Sequence, residues 1–220
     1  MALSKFNFNS FDVTSVASTG LGFNASANGF STFNPGAMTL IKTLTASNDS
    51  GIEFVHGSSD VVLDSTYPIY LFKFINIHPA TDNVNLQIYF STNSGSGYSI
   101  ATQSTFVVAY HNEADDATTL DYFTGSDAAN QTGGANFMSN TGNDNDQSGC
   151  MEFFLFNPSS TTFVKHFISR NQYAHQSDYS QNVYVSGYAN TTSAVNGVKW
   201  TYSSGNIDSA TVKLYGIKDS

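Results

Sequence analysis

From Met38 onward the chain repeats one pattern: a short run rich in Val, Ile, Phe, Tyr and Thr, then a cluster of turn-forming residues. The runs are Met38–Leu44, Ile52–His56, Ile69–Ile77, Leu86–Ser91, Thr105–His111, Met151–Asn157, Phe163–Ser169, Val183–Tyr188, Val198–Tyr202 and Ala210–Ile217. Asn48-Asp49-Ser50-Gly51, Asn93-Ser94-Gly95-Ser96-Gly97, Asn157-Pro158-Ser159-Ser160 and Ser203-Ser204-Gly205-Asn206 stand between them. β-Branched and aromatic residues fit a pleated, half-buried surface, and Gly, Asn, Asp and Pro supply the backbone angles that reverse a chain. Short strands at regular spacing predict an all-β sandwich or barrel. The fold class expected is a jelly-roll-like antiparallel β-sandwich over residues 38–220, preceded by an extended N-terminal arm or anchor over residues 1–37.

Alternation assigns faces. In the last strand Ala210, Val212 and Leu214 fall on one side, with Thr211, Lys213 and Tyr215 on the other. In Phe163–Ser169 the sides are Phe163, Lys165, Phe167 and Val164, His166, Ile168. Met151, Phe153 and Leu155 oppose Glu152, Phe154 and Phe156, so that strand is bulky on both faces and needs cover on both. A neighbouring subunit is the favoured cover; the N-terminal segment or a long loop of the same chain is the alternative.

Two stretches depart from the rhythm. Residues 1–37 are rich in Asn, Ser, Gly and Phe, with single apolar residues such as Phe6, Phe8, Phe11, Phe23, Phe30 and Phe33, and Pro35-Gly36 closes them. Aromatics isolated in this way suit an extended arm that docks on another surface; a first hairpin folded on its own domain is the other reading. Asn112–Gly149 has weak strand character and is expected to be a long loop with one short helix near Asp115–Tyr122. Loops of that length in compact domains are commonly functional.

The 14% aromatic content, with 18 Phe and 12 Tyr, excludes a disordered chain. Charged residues are only 11%, against roughly 25% in an ordinary soluble domain, so Ser, Thr, Asn, Gln and Gly must form the polar surface. A formal net charge of −9 argues against sequence-independent nucleic-acid binding and against docking on anionic membranes. Cys150 is the single cysteine, so no intrachain disulfide framework is possible. No apolar run is long enough for a signal peptide or a membrane helix, and folding in a cytoplasm is the expectation.

Chemistry-bearing clusters are few. Glu113, Asp115 and Asp116 crowd beside His111. Carboxylates so placed supply calcium ligands or an acid–base pair in some proteins, but this spacing matches no calcium loop, and a solvated acidic turn is the expectation. Gly142-Asn143-Asp144-Asn145-Asp146-Gln147-Ser148-Gly149 offers hard oxygens yet lacks the bidentate Glu of an EF-hand, and reads as a turn closed by Asx hydrogen bonds. His56, His78, His111, His166 and His175 show no zinc spacing, and His166 reads as a satisfied core or edge residue. Cys150, just before an apolar strand, reads as an inert, partly buried thiol. No nucleophile elbow or P-loop is present. No catalytic residue, metal ligand or cofactor site is therefore assigned. Tyr98, Tyr173, Tyr179, Tyr184, Tyr188 and Trp200 are candidates for a sugar-stacking platform, against the alternative that they pack within strands.

Leu71-Phe72-Lys73-Phe74-Ile75-Asn76-Ile77-His78-Pro79-Ala80-Thr81-Asp82, Gly142–Gln147, and above all Leu155-Phe156-Asn157-Pro158-Ser159-Ser160-Thr161-Thr162-Phe163-Val164-Lys165-His166-Phe167 carry a resemblance. With Asn190–Ala194, Ser203–Asp208 and Leu214–Ile217 they cover roughly residues 38–217, and they resemble a group of virion structural proteins of marine, cyanophage-like tailed bacteriophages. Gly20–Phe30 is similar to the linkers that join anchors to distal domains in phage appendage proteins. The resemblance implies a virion component and brings no catalytic residues with it.

The function expected is that of a non-enzymatic structural protein on the particle surface, made in the host cytoplasm. It would be a head decoration (cement) protein or a head-attached fibre, homo-oligomeric and partnered by the major capsid protein or other virion proteins. The alternative is a tail-fibre module whose 112–149 loop and tyrosines contact a host surface glycan. A glycan-degrading enzyme is a third reading, for which no facing carboxylate pair is evident.

Overall fold

The computed structural model describes residues 20–24, 26, 28–33 and 36–218, and no helix occurs among them. The chain divides between Ala37 and Met38 into two compact units. In the first, β1 (Gly20–Phe23) and β2 (Phe30–Phe33) pair antiparallel as a hairpin. Phe23 and Phe30 stack across it with ring centroids 5.1 Å apart. The described part of the expected arm is thus a hairpin, and residues 1–19 lie outside the described residues.

The second unit contains thirteen strands: β3 (Met38–Asp49), β4 (Ile52–Val55), β5 (Ile69–Pro79), β6 (Val84–Ser91), β7 (Thr102–Asn112), β8 (Thr118–Tyr122), β9 (Ala128–Gln131), β10 (Ala135–Thr141), β11 (Gly149–Phe156), β12 (Lys165–His175), β13 (Tyr179–Ala189), β14 (Gly197–Tyr202) and β15 (Ile207–Ile217). Every pairing is antiparallel. Eight strands form two four-stranded layers, in the orders β3-β15-β5-β11 and β4-β14-β6-β10. The chain crosses between these layers from β3 to β4, to β5 and to β6, and again from β10 to β11 and from β14 to β15. That interleaved order is a jelly roll. The additions all join the first layer: β12, β13 and β7 extend it beyond β11, and β8 and β9 both pair with β7. One strand-ladder pair, Thr141 with His175, links the two layers at their shared edge.

The core lies between the layers, where inward residues of alternating strands meet. Trp200 is fully buried, with Phe72, Phe74, Phe153 and Phe54 rings 4.8, 5.1, 5.6 and 6.3 Å from it. Phe137, Phe167 and Phe90 continue the cluster. Each such side chain contributes about 1.5–3 kcal/mol on burial, which lets so weakly charged a chain hold a single fold. The expected faces hold on β15 and β11: Val212, Leu214, Met151, Phe153 and Leu155 are inward and buried. On the reverse of β11, Phe154 and Phe156 are half-buried.

The expectation for residues 112–149 is corrected. No helix forms near Asp115–Tyr122; Thr118–Tyr122 is β8, and β9 and β10 follow. The Asn112 side-chain oxygen accepts from the amides of Asp116 and Ala117, turning β7 into β8. β10 is a strand despite its Asn and Ser because it pairs with β6 and buries Phe137 and Met138 completely.

Lys165 points inward on β12 and is fully buried. Its Nζ donates to the carbonyls of Phe163 at 2.6 Å and Thr191 at 3.1 Å. Burial holds its amine below the usual lysine range.

Candidate functional site

The acidic turn at 113–116 and the 142–148 loop meet at one end of the jelly roll, while Tyr184, Tyr188, His166 and Cys150 lie on one face of it. At the end, the β7–β8 turn, the 142–148 loop and the β12–β13 turn lie side by side, since the Glu113 amide donates to the Asp178 carbonyl at 3.1 Å. Glu113, Asp144, Asp146 and Asp178 line a cleft of about 510 Å³ there. His111 Nε2 lies 2.9 Å from Asp115 Oδ1, and both are exposed, as a solvated turn requires. Among the described residues no group of three or more His, Cys, Asp and Glu side chains is arranged to hold a metal ion.

The 142–148 loop is closed by Gln147 rather than by Asx bonds. Its Oε1 accepts from the Asp144 amide at 3.2 Å, and its Nε2 donates to Asp178 Oδ1 at 3.1 Å. Its carbonyl lies 2.6 Å from His78 Nδ1. Gln147 is buried, so its inward-turned amide holds the loop of oxygen-rich side chains against the β12–β13 turn.

The aromatic candidates do not form one platform. Trp200 and Tyr173 are core residues; Tyr173 Oη donates to the Ser139 carbonyl at 3.0 Å and accepts from its amide at 2.8 Å. Burial raises the Tyr173 and Tyr202 phenols well above the ordinary tyrosine value, and raises Tyr70 to about 12. Tyr98 lies under Lys199, whose Nζ is 5.3 Å from the ring centre. Tyr179 is stacked between Tyr110 at 4.9 Å and His175 at 5.0 Å. That stack borders a cleft of about 250 Å³ walled by Phe106 and Phe123, with Asp121, Asn140 and Gln181 supplying polar groups. Of the expected glycan-contact elements, the structure therefore brings together Tyr179 and parts of residues 112–149.

Tyr184 and Tyr188 lie elsewhere, on the outer face of the long layer. Paired residues of neighbouring strands point to the same side, so register gives that face row by row. One row reads Lys213, Lys73, Glu152, Arg170, Tyr184 across β15, β5, β11, β12 and β13. Lys73 Nζ lies 3.0 Å from Glu152 Oε1, and the Arg170 guanidinium sits 5.8 Å from the centre of the Tyr184 ring. The next row is apolar: Tyr215, Leu71, Phe154, Ile168. Ile168 is 49% exposed. Beyond it His166 packs edge-on against Tyr188 at 5.8 Å. His166 is on the exposed face rather than in the core.

Cys150 corrects an expectation as well: its side chain is exposed on the outer face, because it alternates with buried Gly149 and Met151. With Lys73, Arg170 and Lys213 it lines a trough of about 550 Å³. This cationic row was invisible in the sequence, because its three cations lie on three separate strands and only the register unites them.

No protein-family model, curated protein or solved structure matches this chain.

Proposed function

We propose that this chain is a non-enzymatic structural protein on the surface of a tailed-bacteriophage particle, acting as a head decoration protein or a head-attached fibre. The observation that carries the proposal is the outer face of the long layer, where the stripe Tyr215–Leu71–Phe154–Ile168 turns apolar side chains outward beside a row of charges, with Ile168 exposed, Tyr215 and Phe154 half-buried and Leu71 buried among its neighbours. A protein that works by packing against others in an assembly needs such a face, whereas a lone monomer gains nothing from it. Two further supports are the jelly roll, an architecture shared by viral capsid and lectin domains, and the resemblance of residues 38–217 to phage virion proteins. Protein content of purified particles tests this reading. Hundreds of copies per particle, with lowered heat or osmotic resistance when the protein is lost, are expected of a decoration protein; absence from intact virions overturns the proposal.

A second reading is favoured by the cleft beside Tyr179. Aromatic walls with a carboxylate and two amides suit a saccharide contact, and a tail-fibre receptor-binding module would use it in that way. Such a protein is present in few copies, and the purified chain blocks phage adsorption. Loss of that block in Asn140→Ala and Gln181→Ala variants is the result expected of this alternative.

A further inference from the structure

We propose that the outer face of the long layer is an isologous dimer surface, on which two copies of this chain meet about a two-fold axis passing near Cys150. It specifies the partner of the face described above and holds independently of where the protein resides.

The face is electrically divided. Its middle carries Lys213, Lys73 and Arg170, three of the eight cations in a chain of net charge −9, with only Glu152 among them. Its end carries Glu113, Asp144, Asp146 and Asp178. The trough and the acidic cleft adjoin, because Cys150 and Gln172 line both. Cys150 is one outward position along β11 from Glu152, about 6–7 Å, and the acidic loop begins a similar distance to its other side.

A two-fold contact requires that if patch A meets patch B, then B meets A. A face with a positive half and a negative half satisfies that condition when its copy is turned by 180° about a point between the halves. Each cationic row then lies on the partner's acidic end, twice per dimer. A neutral or uniformly charged face has no such self-complementarity. A polyanion would meet the cationic row but be repelled by the adjoining carboxylates, so a second copy is the occupant that uses both halves.

The test uses the purified full chain, with mass read by light scattering or sedimentation across concentration and salt. Mass is expected to double with concentration at low salt and to fall back towards the monomer near 1 M salt, where the screening length is about 3 Å. The variants Lys73→Glu/Lys213→Glu and Asp144→Lys/Asp146→Lys are each expected to weaken self-association by at least about tenfold. An equimolar mixture of the two is expected to form a mixed dimer, because each reversed half then meets its new complement. A short bis-maleimide joins Cys150 to Cys150 in the wild-type dimer and in that mixture. These residues are on the surface, and unchanged far-ultraviolet circular dichroism verifies the folds. A monomer at all concentrations, a dimer insensitive to either reversal, or failure of the mixture to associate overturns the proposal. So does a chain that stays monomeric while binding a sulfated polysaccharide such as heparin.

Discussion

Gly187 shows how one atom fixes the spacing of two strands. A Cβ there would lie 2.0 Å from the Gln103 carbonyl oxygen and 2.8 Å from the Ser104 Cα, both of them backbone. No rotamer change relieves that clash, so β13 must move from β7. Gly187→Ala is expected to cost about 1–3 kcal/mol, read as a lower urea midpoint with an unchanged slope. The buried titratable groups set a pH dependence with a definite sign. Tyr70, Tyr173 and Tyr202 hold their protons more tightly when folded than when unfolded, so the stability they contribute is complete below about pH 10 and declines as pH rises past it. Lys165 works in the opposite direction: its folded value is depressed, so its contribution to stability rises with pH up to 10.5, its ordinary value. Urea midpoints from pH 8 to about 12 are expected to decline at the alkaline end, because three phenols outweigh one amine. A midpoint that keeps rising past pH 11 would contradict the assignment.

Within an element, neighbouring residues have opposite duties. On β12 Phe167 is buried in the ring cluster, while Ile168 points outward and is 49% exposed. Phe167→Ala is expected to destabilise by about 3–5 kcal/mol, and Ile168→Ser by within about 0.5 kcal/mol, both measured by chemical denaturation. Much of this was legible in the sequence. Alternation of Val212 and Leu214 with Lys213 and Tyr215 assigns faces correctly, and the strand content follows from β-branched and aromatic runs. What was not legible has a common cause. Ala135–Thr141 becomes strand through long-range pairing with β6, although its Asn and Ser side chains favour turns locally. The polar ends of β12 and β13, Arg170–His175 and Tyr179–Asn182, are strand because each supplies the other's hydrogen bonds. Lys165 shares an inward face with Phe167, as alternation had indicated, yet nothing local announces the two carbonyls that receive its amine. The cationic row and the cleft beside Tyr179 depend on register and on turns meeting at one end, neither of which a linear pattern contains.

For the molecule as a whole, the division between Ala37 and Met38 separates a small unit, whose described part is a hairpin, from a jelly roll with its own core. A chain beginning at Met38 is expected to keep the β-sheet circular dichroism spectrum and the urea midpoint of the full protein within about 0.5 kcal/mol. With the anchor placed in residues 1–37, as the sequence leads one to expect, that chain is lost from particles, as read by gel after co-expression with the other virion proteins. Retention on particles would move the anchoring role from the first 37 residues to the sheet face.

The five added strands all hang from one edge of one layer, and they enter the chain in two separate excursions, between β6 and β10 and between β11 and β14. The first departs after Ser91 and returns at Ala135, which pairs with Ile88, only three residues from the point of exit. Such an excursion leaves the eight-stranded frame topologically closed behind it. The inward residues of the overhang, Phe106, Phe167, Val183 and Val185, stay tied to the shared core, whereas β8 and the outward positions beside it carry none of that packing, so that what the molecule meets outside is free to diverge there without renegotiating how it folds.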